Sequence, residues 1–471
     1  MINTIKRHSS VPFGKSAISG MNKILSIALI IFLSLTPIPL GSNRPVFWAL
    51  GAIFLSIITL IYLTFLLNQK SQLRHKLSRC KISLILFYIL LAFIILQTIP
   101  FENWVNISNI ISPIDITIEG IAIIGNSLSL TPGMSILSLI QFASYGLLFF
   151  LLLQVAYNSE RAQILLIWVF IIVVAYATYS IFALTQLNDS ILFMDKWAYD
   201  GVATATFVNR NSFATFLSFG LIIGVAFSAS SLLPNNNAAG HKKNALSSML
   251  FALGATIIGV ALIATQSRMG FASGVLGSFI TLILVLSKSP KSHKLKYSVF
   301  ILGIIALGFL LFLYGDGLFE RLTYVESSAD GRMALYAQII EMIKNRPFLG
   351  YGAGSFELAF PLFHQFPVSP DVVWDKAHNS YLALWSELGV IVGSIPILII
   401  ILIGITSWRI YKTAQRRWLY SAIALGAIST AAIHSLVDFS LEIQAVAFLF
   451  VAILAIGISG PNKSSSDKNN A

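Results

Sequence analysis

Long apolar runs, separated by short polar stretches, recur along the whole chain. A membrane hydrocarbon core of about 30 Å requires about 20 apolar residues in each helical span. Twelve runs in the sequence are compatible with such spans. They lie near residues 24–40, 46–67, 82–99, 135–157, 163–187, 213–233, 248–265, 271–286, 298–314, 381–405, 419–432 and 443–458. If all twelve cross the membrane, both termini lie on the same side.

Composition leads to the same fold class. Of the 471 residues, 56% are hydrophobic and only 11% are charged, and the mean hydropathy is +0.81. Soluble domains carry about 25% charged residues, so a soluble enzyme is excluded. The single cysteine, Cys80, excludes a disulfide framework and a cysteine metal cluster. We predict an all-α polytopic membrane protein with about twelve transmembrane helices and a long external loop that contains helices.

The distribution of basic residues predicts the orientation. Of the 31 Lys and Arg residues, 22 fall on the side of the N-terminus and nine on the opposite side. Five of those nine lie in one long loop, which the positive-inside rule discounts. We therefore expect both termini in the cytoplasm. This bias also accounts for the net charge of +12 without a polyanionic ligand, so nucleic acid is not expected as a partner.

The runs divide the chain into five parts. Residues 1–23 form a basic cytoplasmic segment, and the first span is interpreted as a retained anchor. The remaining parts are transmembrane helices one to nine at 24–314, an external loop at 315–379, helices ten to twelve at 380–460, and a cytoplasmic tail at 461–471. Functional groups concentrate in long structured loops, which draws attention to the external one.

Two segments of the external loop have recognisable patterns. Apolar residues at helical spacing predict a helix over 331–345, which Pro347 follows. A glycine-rich turn follows at 350–356. It lacks the lysine of a phosphate-binding loop, so tight-turn packing is the favoured interpretation.

Three arginines mark the external face. Arg210 lies at the outer mouth of the sixth span, Arg268 lies in the short turn between the seventh and eighth, and Arg332 opens the loop helix. A cation at a helix start opposes the macrodipole unless an anion shares the site. The alternatives are headgroup contacts for Arg210 and Arg268, and for Arg332 an ion pair with Asp330 or Glu326.

His378 lies where the external loop re-enters the membrane. An imidazole suits the role of a general base, because the unperturbed pKa of histidine lies near 6.5. A lone histidine is more often structural, but three arginines and a histidine on one face suggest a phosphate clamp beside a base. A secondary transporter would instead require ionisable residues near the bilayer midplane, where Glu387 is the one candidate. A non-catalytic scaffold would show no such grouping.

Five motifs occur in order between residues 201 and 442: NRNSFA, SRMG, GRMALYAQIIEMIKNRPFLGYGAGSF, HNSYLALWSELGVIVG and HSLVDFSLE. This set resembles the O-antigen ligase and polymerase family. The resemblance implies a membrane glycosyltransferase fold of the GT-C type in the bacterial inner membrane. It further implies metal-independent, inverting transfer of a glycan from undecaprenyl diphosphate to an acceptor hydroxyl on the periplasmic face, with no cofactor.

The resemblance also assigns residue roles. Arg210 and Arg268 are expected to bind the diphosphate with help from Arg332, and His378 is expected to deprotonate the acceptor. Possible accessory residues are Asn209, Asn211, Asn379, Tyr381, Glu387, His434 and Asp438. We expect Glu387 to make a helix–helix contact or to handle protons. His434 and Asp438 are four residues apart, so they share a face if that segment is helical, and a hydrogen bond or acceptor contact is favoured over a metal pair.

The expected partners are an undecaprenyl-diphosphate-linked glycan, lipid A-core or a growing glycan as acceptor, and membrane lipids. Ligation of O-antigen to lipid A-core is the favoured activity. An O-antigen or exopolysaccharide polymerase and a protein O-glycosyltransferase remain alternatives, because acceptor contacts have no short motif.

Overall fold

The protein is almost entirely helical in a computed structural model that describes residues 13–75, 77–100, 115–118, 121–124, 127–192, 194–233, 245–288 and 329–460. The first eight helices are α1 (Phe13–Leu35), α2 (Pro45–Asn68), α3 (Lys81–Thr98), α4 (Pro132–Val155), α5 (Ser159–Gln186), α6 (Arg210–Leu232), α7 (Ala245–Ala264) and α8 (Arg268–Ser287). The others are α9 (Ala329–Asn345), α10 (Phe356–Ala359), α11 (Ser380–Gly393), α12 (Ile395–Thr413), α13 (Trp418–His434) and α14 (Gln444–Ile458).

One element departs from the all-α expectation. Strand β1 (Asp115–Ile118) pairs antiparallel with β2 (Ile121–Ile124), in the external segment between α3 and α4. The strands are four residues each and form an isolated hairpin.

The helices confirm a multi-pass membrane protein. Among the described residues, nine helices are long and apolar enough to cross a membrane, namely α1 to α8 and α12. Helices α11, α13 and α14 are apolar but shorter. The predicted span at 298–314 lies outside the described residues, so twelve spans remain a prediction. The predicted external helix at 331–345 is present as α9, which begins two residues earlier.

The predicted span at 381–405 is wrong as a single helix. Gly389 has φ +73° and ψ 163°, which interrupts α11, and α12 starts only at Ile395 with a proline in its first turn. The chain at 347–352 fills the interruption: Val390 N donates to Pro347 O at 2.7 Å, and Gly352 N donates to Glu387 O at 2.9 Å. A side chain at Gly389 would collide with Phe348 O, so the break requires glycine.

Helix α6 lies at the centre of the bundle, and 83% of its most apolar 18-residue stretch is buried. It packs against α8 through small residues, an arrangement typical of close helix contacts in membranes. A side chain at Gly274 of α8 would collide with Ser218 of α6, and one at Gly277 would collide with Thr430 of α13. This close packing brings the first residues of α6 and α8 side by side.

Residues 329–379 have a small core of their own. Leu335 and Ile339 of α9 pack with Phe356, Phe360 and Leu382. Because Leu382 belongs to α11, this core attaches α9 directly to a helix that begins at the residue after Asn379. His378 therefore lies between two packed elements.

Candidate functional site

An asparagine joins three of the sequence motifs. Asn211, in the first turn of α6, donates through Nδ2 to Asp438 Oδ1 at 2.9 Å. Its Oδ1 accepts a hydrogen bond from Ser267 Oγ at 2.8 Å. Ser267 directly precedes Arg268 at the start of α8, and Asp438 follows α13. The starts of α6 and α8 and the α13–α14 connection thus meet at the Asn211 amide.

Asp438 extends this junction to α11. Its side chain is buried, and the carboxylate also accepts a hydrogen bond from Ser440 Oγ. The backbone oxygen of Asp438 accepts from Ser380 Oγ at 3.1 Å, and Asn379 Nδ2 donates to Leu436 O at 2.8 Å. We call residues 209–212, 267–268 and 435–442 the floor of the site, and residues 329–378 the cover.

Asn209, which precedes Arg210, and Asn379, which follows His378, both cap helices. The Asn209 side chain accepts from the backbone N–H groups of Asn211 and Ser212, and Asn379 does the same for Tyr381 and Leu382. Asparagine is among the best N-cap residues. The starts of α6 and α11 are therefore well defined, and they lie together with the start of α8. The partial positive charges of these three helix starts favour an anion.

Arg210, the first residue of α6, is half-buried. Its guanidinium carbon lies 5.5 Å from the centroid of the Tyr199 ring, and its Nε is buried with no hydrogen-bond partner among the described residues. Asn209 Nδ2 donates to Tyr199 Oη at 3.3 Å. Tyr199 lies in an irregular connection without periodicity, so no sequence pattern identifies it. Burial raises the pKa of Tyr199, while the Arg210 charge opposes that shift.

Arg268 and Arg332 are both exposed. Arg268 begins α8, one residue after the Ser267 hydroxyl that bonds to Asn211. Arg332 lies in the first turn of α9, and its charge opposes the upward pKa shifts that burial causes at Tyr199 and Tyr336. Arg332 therefore faces the same region as Arg210. The alternative partners Asp330 and Glu326 have side chains outside the described residues.

His378 lies at the boundary between floor and cover. Its ring contacts Trp374 at 6.0 Å and Phe439 at 5.1 Å between centroids, both edge-on. Tyr336 Oη donates to the backbone oxygen of His378 at 2.8 Å. Nδ1 of His378 is buried and has no hydrogen-bond partner within the described part of the chain. Burial lowers the pKa of His378 below 6.5, although the Asp438 carboxylate opposes this, so the imidazole is neutral near pH 7.

Two further accessory residues, Tyr381 and His434, have structural contacts. Tyr381 Oη donates to Ala432 O at 2.8 Å, and His434 Nδ1 lies 2.6 Å from Thr215 Oγ1. Helix α13 ends at His434, so the segment from His434 to Asp438 is not helical and the two residues do not share a helical face. Over the ranges that the structure describes, no three His, Cys, Asp or Glu side chains are grouped so that they could hold a metal ion.

Glu387 contacts the glycine-rich turn. A carboxylate oxygen of Glu387 accepts a hydrogen bond from Phe356 N at 3.3 Å. The Glu387 side chain therefore binds the backbone of the loop, whereas a contact between helices was one expectation. The turn itself is packed tightly, since Gly350, Gly352 and Gly354 all have positive φ and a side chain at Gly352 would collide with Ser129. The structure therefore supports the packing interpretation of this turn.

Comparison with known proteins adds an independent observation. Residues 253–397 match a family model described as O-antigen ligase. This segment is similar to the O-antigen ligase family. The match includes Arg268, Arg332 and His378, and it excludes Arg210 and Asp438, which the hydrogen bonds of the floor connect to it. A search of curated proteins found no match.

The match confirms the family resemblance drawn from the motifs. The O-antigen ligase model describes membrane enzymes that transfer glycans and use glycan-linked lipids, so the match over residues 253–397 supports a function of this class.

Proposed function

We propose that the protein moves a glycan from undecaprenyl diphosphate to an acceptor hydroxyl at the periplasmic face of the bacterial inner membrane, and that the acceptor is lipid A-core. The observation that supports this best is the Asn211 junction. It connects the helix starts that carry Arg210 and Arg268 with the segment that contacts His378. Guanidinium groups and a neutral imidazole beside three helix N-termini suit a reaction in which a diphosphate leaves.

Departure of the diphosphate requires positive groups. Nucleotide sugars are absent outside the cytoplasm, so an outward-facing transferase needs a donor whose leaving group arrives on a lipid. As the bond between the anomeric carbon and the diphosphate oxygen breaks, its electron pair goes to that oxygen. Fixed guanidinium groups stabilise the developing charge, and arginine stays protonated even in a partly dry site. Arg210 and Arg268 have this role in the proposal, and Arg332 assists from the cover.

Attack by the acceptor requires a base. The acceptor oxygen forms a bond to the anomeric carbon on the side opposite the leaving diphosphate, and its proton goes to His378. The lowered pKa of His378 supports this role, because the ring is unprotonated near neutral pH and can accept a proton. Displacement from the opposite side inverts the anomeric centre. In this scheme the arginines stabilise the leaving group and no step requires a metal ion.

The acceptor is tested by a deletion strain whose surface glycans are separated on a gel. A ligase predicts loss of all long-chain lipopolysaccharide together with accumulation of lipid-linked polymer. A ladder restricted to one repeat would instead indicate a polymerase, and an unchanged profile would indicate another glycan or a protein acceptor. Complementation with the wild-type gene should restore the profile, and complementation with Arg210→Ala should not.

A further inference from the structure

A second charged contact lies beside His378. Lys376 Nζ is 3.0 Å from Glu442 Oε2, and each side chain is about a quarter exposed, at 25% and 27%. Lys376 precedes His378 by two residues, and Glu442 ends the segment that also contains Asp438 and Phe439. The ion pair thus connects the cover to the floor on the N-terminal side of His378.

The C-terminal side of His378 is anchored to the same segment. Ser380 N donates to Ser435 O at 3.0 Å, and Asn379 Nδ2 donates to Leu436 O. His378 is therefore held between two attachments to residues 435–442, one by hydrogen bonds and one by the ion pair. This matters because His378 has φ +51°, a left-handed conformation that a non-glycine residue keeps only where its surroundings impose it.

We propose that the Lys376–Glu442 ion pair positions the His378 imidazole for catalysis. Lys376 and Glu442 are positioning residues in this inference, and they act through the backbone at His378. The inference rests on the proposed function, because it assumes that His378 is the base.

Three features make this pair strong enough for the role. Glu442 is fixed through its backbone oxygen, which accepts from Gln141 Nε2 of α4 at 3.3 Å. Its Oε1 is buried without a hydrogen-bond partner among the residues described, so Lys376 supplies the main compensation for the carboxylate. Burial lowers the pKa of Lys376, but the charges of Glu442, Glu387 and Asp375 together raise it above its ordinary value, so the lysine stays charged. Breaking a partly buried pair leaves one charge uncompensated.

A surface pair offers a matched control. Lys344 Nζ lies 2.7 Å from Glu341 Oε1 on α9, with both side chains 65% exposed. Exposed pairs of this kind contribute little. Lys344→Met therefore removes a lysine from the cover without changing the floor.

The test uses three variant proteins. They are Lys376→Met, Lys376→Arg, and a double variant that exchanges the two charges by combining Lys376→Glu and Glu442→Lys. Each protein is reconstituted in lipid vesicles with the lipid-linked glycan isolated from the deletion strain as donor and the lipid fraction of that strain as acceptor. We expect Lys376→Met to lower kcat by roughly 10- to 100-fold, the scale expected for a displaced catalytic group, with the donor KM changed less than about twofold. Lys376→Arg and the exchange should recover most of kcat, and Lys344→Met should match the wild type.

Several results would overturn the inference. Full kcat in Lys376→Met would do so, as would a loss that appears in KM alone or a Lys376→Arg protein as slow as Lys376→Met. Thermal unfolding shows whether the double variant folds. If it does not, the kcat of Lys376→Arg alone tests the inference. His378→Ala is measured in parallel. If it remains active, the proposed base is wrong; if it is inactive while Lys376→Met is fully active, only the positioning inference fails.

Discussion

The floor and the cover of the site are built in different ways. In the floor, Asn211, Ser267 and Asp438 form short side-chain hydrogen bonds, and Asp438 is only 1% exposed. In the cover, the Arg332 side chain is exposed, and its helix α9 is attached to α11 through a small apolar core. The floor therefore holds its polar groups in one arrangement before any substrate binds, whereas the cover adds charge from the solvent side.

The difference predicts unequal contributions to catalysis. Fixed dipoles and charges in a dry setting stabilise a transition state more than mobile, solvated ones, because they need no reorganisation during the reaction. Salt also weakens the interactions between exposed charges, and it largely screens them at separations beyond about 8–10 Å. Substitutions of the buried and half-buried residues of the floor and of its boundary should thus reduce transfer strongly, and substitutions of exposed residues of the cover such as Arg332 should reduce it weakly.

The largest effect is expected at the boundary. His378→Ala removes the proposed base and should lower transfer by roughly 10²- to 10⁴-fold, the usual range for general base catalysis. Binding of the lipid-linked donor should stay within about twofold of wild type, because the arginines remain. The measurement is the initial transfer rate in vesicles alongside donor affinity, and full activity in the variant would remove His378 from the mechanism.

Arg210→Ala tests the floor directly. Loss of a guanidinium that stabilises the leaving group should raise the activation free energy by about 2–4 kcal/mol, by analogy with the loss of one oxyanion donor. Arg44, an exposed arginine at the N-cap of α2, provides a control, since its replacement should change the transfer rate little. Equal rates for the Arg210 and Arg44 variants would contradict a special role for the floor.

The sequence predicts helix starts better than it predicts the contacts between them. Arg210, Arg268 and His378 could be located because each directly precedes an apolar run. The bond between Asn211 and Asp438 joins residues 227 positions apart, and neither residue has a pattern that identifies the other. Hydrogen bonds of this kind depend on how α6 packs against α8 and α13, which the local sequence does not encode.

The break at Gly389 was missed for a related reason. The apolar run at 381–405 contains three glycines and a proline, and such a run is compatible with a continuous span. The helix is interrupted because the distant segment 347–352 supplies replacement hydrogen bonds to Glu387 O and Val390 N. Only the tertiary fold shows that these partners are available.

Asp438 distinguishes geometry from charge within the floor. Asp438→Ala removes a hydrogen bond to a charged group, worth about 1.5–3 kcal/mol, and should lower transfer by roughly 10- to 100-fold. Asp438→Asn keeps an acceptor for the Asn211 amide and should lose less. Transfer rates and thermal unfolding of both variants are the measurements. An alanine variant as active as the asparagine variant would show that the junction does not position the site.

The smallest effect is expected in the cover. Arg332→Ala should slow transfer by no more than about fivefold, since exposed charge pairs contribute about 0.2–1 kcal/mol. The difference from wild type should shrink further as salt is raised, whereas the effect of Arg210→Ala should persist. Lys344→Met, on the same helix, is the control. A loss at Arg332 as large as that at Arg210 would erase the distinction between cover and floor.

The central claim is that Arg210 and Arg268 bind one diphosphate beside His378. It is tested most directly by the affinity of undecaprenyl diphosphate, without a glycan, for the wild-type protein and for Arg210→Ala, Arg268→Ala and His378→Ala in vesicles. We predict that either arginine substitution weakens binding by about tenfold or more, while His378→Ala binds like the wild type. Unchanged affinity in both arginine variants would contradict the claim.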